Sequence, residues 1–364
     1  MKISLDFIKR IDWFITAPII ILLAFSLAEL YSISLGQGGD TTSFYKQLSF
    51  VVIGLAIFFV LAIIDFHYFY NYSNYIYLMS IFLLVMVLIF GQTINGTKGW
   101  FGLFGLGLQP VEFAKFALLI FLARYFSKAA VASHPFKHFI ISGASTAFLI
   151  ALIMLQPDLG SAALLFALWI IFLIAVNVPK KYLFSIVAAL LIGLAFSWQF
   201  VFKPYQQERL LTYFKPSASS TNYNVKQAII AVGAGAWAGR GLGFGSQSQL
   251  KFLPEASTDF MFAVIAEELG FIGVIVVIGC FALILWRCLS SLPRNRNYFG
   301  SLVVLGGAGL IFIEMFINIG MNMGILPVVG IPLPFVSYGG SALLAHMALA
   351  GIMHSVIQRS APKR

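Results

Sequence analysis

Phe252-Leu253-Pro254-Glu255-Ala256-Ser257-Thr258-Asp259-Phe260 is a polar loop that runs directly into the apolar stretch 261–273, and Glu267 and Glu268 lie inside that stretch. Carboxylates are costly in hydrocarbon, so where they occur in a membrane span they serve a function. The 364-residue chain has 13 acidic residues, and four of them fall within 252–273. Chemistry or transport is therefore expected here.

The chain around this segment is 60% hydrophobic and 10% charged, with a mean hydropathy of +0.94. A soluble domain does not read this way; the composition is that of a polytopic membrane protein. Length alone suggests two or three soluble domains, but a single helical bundle over 1–364 fits better. The net charge of +10 is concentrated beside apolar runs, which points to topology and anionic lipid and not to nucleic acid. Cys280 and Cys288 stand about 12 Å apart on a helix, too far for a disulfide. Residues 1–12 are short and basic, and the apolar run after them is long enough to stay as an anchor, so no cleavable signal is expected.

Apolar runs recur at 13–33, 48–64, 75–91, 111–126, 138–155, 159–177, 182–202, 260–286, 299–323 and 337–357. They predict an all-α bundle of ten transmembrane helices. The fourth carries Glu112 and Lys115, three residues apart on one face, where they can pair; it must be shielded inside the bundle. Basic residues collect at Lys9, Arg10, Arg124, Lys128, Lys137, Lys180, Lys181, Arg287, Arg294 and Arg359, whereas the short loops of the other side hold only Lys46 and Lys98. This distribution places both termini in the cytoplasm.

The long outer loop, 203–258 between the seventh and eighth spans, breaks the pattern. It holds Lys203, Arg209, Lys215, Lys226, Arg240 and Lys251 against Glu208 and Glu255, a basic balance suited to an anionic ligand at the membrane surface; the alternative is a solvated lid with incidental charge. Within it 225–237 reads as a half-helix and 239–245 as a flexible glycine turn. The segment 324–341 has three prolines, four glycines and no charge. It cannot continue a helix and is too apolar for an ordinary loop, so a re-entrant segment lining a cavity is expected.

Together these motifs resemble the RodA/FtsW family of bacterial membrane proteins, which serve cell shape, elongation, division and sporulation. The resemblance covers almost the whole chain. It rests on Gly99-Trp100, Gln109-Pro110-Val111-Glu112-Phe113-Ala114-Lys115, Gln156-Pro157-Asp158-Leu159-Gly160, Gln227-Ala228-Ile229, Leu253-Pro254-Glu255 through Thr258-Asp259-Phe260, Glu267-Glu268-Leu269-Gly270 and Ser337-Tyr338-Gly339-Gly340-Ser341. The run 330–341 and Ser246-Gln247-Ser248-Gln249-Leu250 look more like the elongation branch. Many relatives have Arg immediately before the tryptophan; here Gly99 stands there, which leaves that role open or passes it to Lys98.

The resemblance implies a peptidoglycan glycosyltransferase of the bacterial cytoplasmic membrane. It would polymerise lipid II onto a growing glycan–lipid chain, with a class B penicillin-binding protein and other elongation-complex proteins as partners. Such a reaction needs a base for the acceptor hydroxyl and cations for the departing diphosphate. Asp259 suits the base, the competing role being an N-cap of the eighth span. Glu255 is either a second carboxylate steering the acceptor or a solvated loop charge. Arg209, Lys226 and Lys251 are the diphosphate candidates, and whether a divalent cation, Mg2+ or Mn2+, assists is open.

Glu112 and Lys115 are read either as a structural pair or as part of a substrate groove, and Asp158 first as a helix cap. Trp100 is either an interfacial anchor or a sugar-stacking platform. Lys98, Gln227 and Ser337 join the substrate-binding set through the family motifs. Glu267, Glu268 and Glu314 are expected to bond across helices, and His346 to bridge two helices. A partner helix is expected along the eighth and ninth spans, where Gly306-Gly307-Ala308-Gly309 allows close approach. The competing functions are a lipid II flippase, a non-catalytic scaffold, or the division or sporulation paralogue.

Overall fold

The apolar runs become helices almost where the hydropathy places them. The computed structural model describes residues 11–36, 39–94, 97–103, 106–129, 131, 133–188, 220–295 and 297–360. The long helices are α1 Trp13–Gly36, α2 Thr42–Ile63, α3 His67–Phe90, α4 Pro110–Lys128, α5 Pro135–Met154, α6 Leu159–Ala175, α9 Met261–Ser291, α10 Tyr298–Asn322 and α11 Gly340–Ser360. The long loop between the seventh and eighth runs contributes α7 Ser220–Ala234 and the single turn α8 Ser246–Gln249. These account for nine of the ten expected spans. The seventh, 182–202, is helical through 188 and otherwise lies outside the described residues. Seven of the helices are long and apolar enough to cross a membrane.

Helix α4 is the shielded one, as its charges require. Thirteen of its 19 residues are buried, and it packs against α3, α5, α6, α10 and α11. Around it α11 lies along α2, and α1 along α9. The Gly306–Gly309 run does not await a partner. A side chain at Gly306 would meet Phe172, at Gly307 Met353, and at Gly309 Ile171. The expectation of a docking groove there is therefore corrected: these glycines let α6 and α11 approach α10.

A small sheet interrupts the helices. Strands β1 Gln92–Ile94, β2 Thr97–Leu103 and β3 Leu106–Leu108 form antiparallel hairpins in the order β1-β2-β3, with Gln92 opposite Trp100 and Phe101 opposite Leu108.

Helix α9 is broken at Gly270, where φ is 65° and ψ −161°. The break frees backbone groups that hydrocarbon could not satisfy, and the glycine-rich stretch after α7 satisfies them. Arg240 and Gly241 N–H donate to the carbonyls of Glu267 (3.0 Å) and Glu268 (2.9 Å), and Phe271 and Ile272 N–H donate to Ala236 (3.0 Å) and Trp237 (3.2 Å). The turn expected to be flexible is therefore stitched into the bundle. A Cβ at Gly270 would lie 2.2 Å from the Gly239 nitrogen, and this backbone region is open essentially to glycine alone. Gly270→Ala is expected to lower stability by about 3 kcal/mol or more, read as a fall in Tm of the purified protein. An unchanged Tm would show that the break does not constrain the fold.

Candidate functional site

Asp259 stands one residue before the N-cap of α9. That cap is Phe260, and no side chain bonds there, so the capping role considered for Asp259 is not the one it plays. Its backbone is instead held from two sides. The Asp259 carbonyl accepts from Asn318 Nδ2 (3.1 Å) and Asn322 Nδ2 (2.9 Å) of α10, and Asn322 Oδ1 accepts from Ala263 N (3.1 Å). From the other side, Ser337 Oγ donates to the Thr258 carbonyl (2.6 Å) and Tyr338 N to that of Ser257 (2.8 Å). Asn318 Nδ2 also donates to the Ile331 carbonyl (2.9 Å), tying both sides together. The carboxylate is left for other work.

Residues 331–337 therefore form the wall beneath the acid. Ile331, Leu333, Phe335 and Val336 are buried without helical structure, as a re-entrant segment requires. Burial, with the Glu255 carboxylate second, pushes Asp259 up from its usual range to about 6. Glu255 itself is exposed, and its carboxylate accepts from Thr258 Oγ1 (3.0 Å). An acid tuned close to neutrality at the end of a polar loop has the properties of a general base.

The same wall reaches toward the sheet. A Cβ at Gly330 would lie 3.8 Å from Asp259 Oδ2, one at Gly160 would strike the Val329 carbonyl, and one at Gly99 would lie 3.2 Å from Gln156 Oε1. Gly99 and Trp100 of β2 are thus linked through Gln156, the α6 start and 329–331 to the acid. Trp100 packs over Gly107, and Ser341 Oγ donates to the Gly107 carbonyl (3.1 Å), pinning β3 to α11. Lys98 Nζ reaches the Ile89 carbonyl at 3.5 Å. Lys226 and Lys251 are exposed, and Gln227 half-buried on α7. Arg209, foremost of the loop cations, lies outside the described residues. Asp158 caps α6 by accepting from Ser161 N (2.9 Å), as its position predicts.

Glu112 and Lys115 form their pair (2.8 Å), and the structure adds two members that sequence spacing does not reveal. Lys115 Nζ also bonds Glu314 Oε1 (2.6 Å), and Glu314 Oε2 meets His346 Nε2 (2.5 Å). All four side chains are buried. The cavity they line is about 10 Å³, roughly the room of one water. A polyprenyl chain could reach them only after helix movement.

Glu267 and Glu268 bond across elements as expected. Glu267 accepts from Gln247 N (2.8 Å) and Ser248 N (3.2 Å), and Glu268 from Ser32 Oγ (2.5 Å), Gly243 N (3.0 Å) and Gln249 Nε2 (3.1 Å). They fasten α8 and the glycine turn to α1 and α9. Sequence reasoning overlooked Asn318 and Asn322. Two amides one turn apart in an apolar span were the available signal.

Fold and site together define a multi-pass membrane protein with a near-neutral acid held at one rim of its bundle. The FtsW/RodA/SpoVE model, a family described as cell cycle proteins, matches residues 9–361, and the chain belongs to that family. It is 35% identical to the peptidoglycan glycosyltransferase MrdB of Escherichia coli strain K12, over 93% of this chain and 92% of that one. It is 34% identical to the probable peptidoglycan glycosyltransferase FtsW of Nitrosomonas europaea, over 94% and 92%. Among solved structures, it resembles a chain of a peptidoglycan synthase complex that coordinates polymerization and crosslinking, with a TM-score of 0.84 and 27% identity over 97% of this chain and 99% of that one. It also resembles the rod shape determining protein RodA of Thermus thermophilus, with a TM-score of 0.71 and 26% identity over 97% and 98%.

Proposed function

We propose that this protein is a peptidoglycan glycosyltransferase of the elongation type, polymerising lipid II at the outer face of the bacterial cytoplasmic membrane. The observation that carries the reading is Asp259, raised to about 6 and clamped by its backbone so that its carboxylate is free of capping duty. In this mechanism Asp259 takes the proton of the acceptor C4 hydroxyl as that oxygen attacks the anomeric carbon of an α-linked diphosphate donor. The new linkage is β-1,4, formed in one displacement with inversion and without a covalent enzyme intermediate. Lys98, Lys251 and Arg209 are assigned to the departing diphosphate, whose charge grows in the transition state. Trp100, Gln227, Glu255 and Ser337 shape the sugar site. Glu112 and Lys115 set the helix geometry behind it.

A class B penicillin-binding protein is the proposed partner for crosslinking, and the exposed apolar face of α9, including Ile272, Ile275 and Trp286, is open to its transmembrane helix. Orientation follows the basic residues, with both termini cytoplasmic. Single cysteines at Lys226 and Asn295 are expected to react with impermeant thiol reagent from outside and only after permeabilisation, respectively; the reverse pattern would invert the topology.

A transporter is the second reading, favoured by the broken helix α9 and the buried charges. Fluorescent lipid II given to the purified protein and its cognate penicillin-binding protein separates the two. Glycan polymer is the expected product. Transfer of lipid II between leaflets with no polymer would make it a flippase.

A further inference from the structure

The end of the bundle that carries both termini holds a cavity that the transferase reading does not use. Its volume is about 460 Å³, and Ser133, His134, Phe136, Lys137 and Tyr182 line it. The cavity lies where α5 begins and where the helical stretch 180–188 follows α6. Lys181 Nζ sits 5.1 Å from the centre of the Tyr182 ring, which in turn stacks on Phe139 at 5.2 Å. From 113 to 207 the only acidic residue is Asp158, at the opposite end of the bundle, where it caps α6. Among the described residues, the other acids of the terminus-bearing end are occupied: Asp12 pairs with Arg287, and Asp65 with Arg359 and His67. Among the described residues no ion pair forms at Lys137, Lys180 or Lys181. Lys137 thus lines a mostly apolar hollow, and Lys180 and Lys181 stand exposed on the adjoining helical stretch, Lys181 over the Tyr182 ring.

The hollow also opens at the lipid-facing perimeter. Helix α5 buries little of its apolar length; Phe136, which lines the hollow, is 62% exposed, and Phe184, on the neighbouring helical stretch, is 71% exposed. A soluble phosphate has no use for such flanks, whereas a phospholipid lays its acyl chains on them.

We propose that this cavity binds the phosphate of an anionic phospholipid headgroup, with Lys137 and Lys181 as its cationic contacts and Phe136 and Phe184 against the chains. Basic hollows between spans are known to suit such headgroups, and each lysine at an anionic surface is worth about fivefold in affinity.

Native mass spectrometry of the full chain, released from micelles doped with equal phosphatidylglycerol and phosphatidylcholine, tests this. Phosphatidylglycerol is expected to be retained preferentially. The double variant Lys137→Gln/Lys181→Gln should lose about thirty-fold of that retention, Lys137→Arg/Lys181→Arg should keep it, and Lys46→Gln at the opposite rim should not change it. Inorganic phosphate at matched concentration should fail to displace the lipid. Equal retention of both lipids, undiminished retention by the double glutamine variant, or displacement by inorganic phosphate would each overturn the proposal.

Discussion

Asp259→Asn is expected to lower polymer synthesis by about 10²- to 10⁴-fold, the usual contribution of a general base. Asparagine preserves the size of the side chain and leaves the backbone clamp untouched, because Asn318, Asn322 and Ser337 hold carbonyls and not the carboxylate. The variant should therefore fold, and at pH 8 it should be the more stable protein. Asp259 is raised in the folded state to about 6 from an ordinary 3.8. Its neutral form is thus the one the fold favours, and that contribution is lost as pH rises from about 4 to about 6. Removing an ionised acid from this setting is worth up to about 2 kcal/mol once its partial exposure is allowed for. Loss of activity together with a raised Tm is the signature of an acid kept for chemistry. Activity within about twofold of wild type would assign the base elsewhere.

Lys115→Met is expected to destabilise the bundle strongly. Lys115 sits between Glu112 and Glu314, both buried, and its removal leaves two buried carboxylates without the cation they share. Breaking a buried ion pair in this way costs about 3–5 kcal/mol. The triple variant Lys115→Met/Glu112→Gln/Glu314→Gln should recover much of that loss, since it removes the stranded charges as well. Denaturation of the three proteins side by side measures both effects. Equal stability of single and triple variants would show that the charges are not what Lys115 compensates.

The bundle was legible in the sequence because hydrocarbon imposes a simple rule: a span must be apolar, and a helix such as α4 that is not must be buried. The Glu112–Lys115 pair was legible for a similar reason, three residues being one turn. Its extension to Glu314 and His346 was not, because those residues meet Lys115 only after α10 and α11 pack on α4. Hydropathy also missed the strands of 92–108, which are short, glycine-interrupted and held by hairpin pairing. Nothing about Gly270 announced a broken helix, since a glycine inside a span is ordinary; its neighbours Gly239 and Gly241 make it obligatory only once α7 docks. The capping role weighed for Asp259 failed on a boundary, the helix beginning a residue later than a cap at 259 requires. The glycine run in α10 was misread for the same reason that makes it interesting, because small residues permit close packing without saying whose helix arrives.

The central claim is that Asp259 works as a base tuned close to neutrality, and the pH dependence of the polymerisation rate tests it most directly. With lipid II held well below its KM and the cognate penicillin-binding protein present, so that the free enzyme is read, the rate should rise with pH through a half-point of about 6 and then level off, following ionisation of Asp259. Glu255→Gln removes the neighbouring negative charge, so the half-point should move to lower pH. A rate that is flat from about pH 5 to pH 8, or a half-point unmoved by Glu255→Gln and still present in the residual activity of Asp259→Asn, would contradict the account.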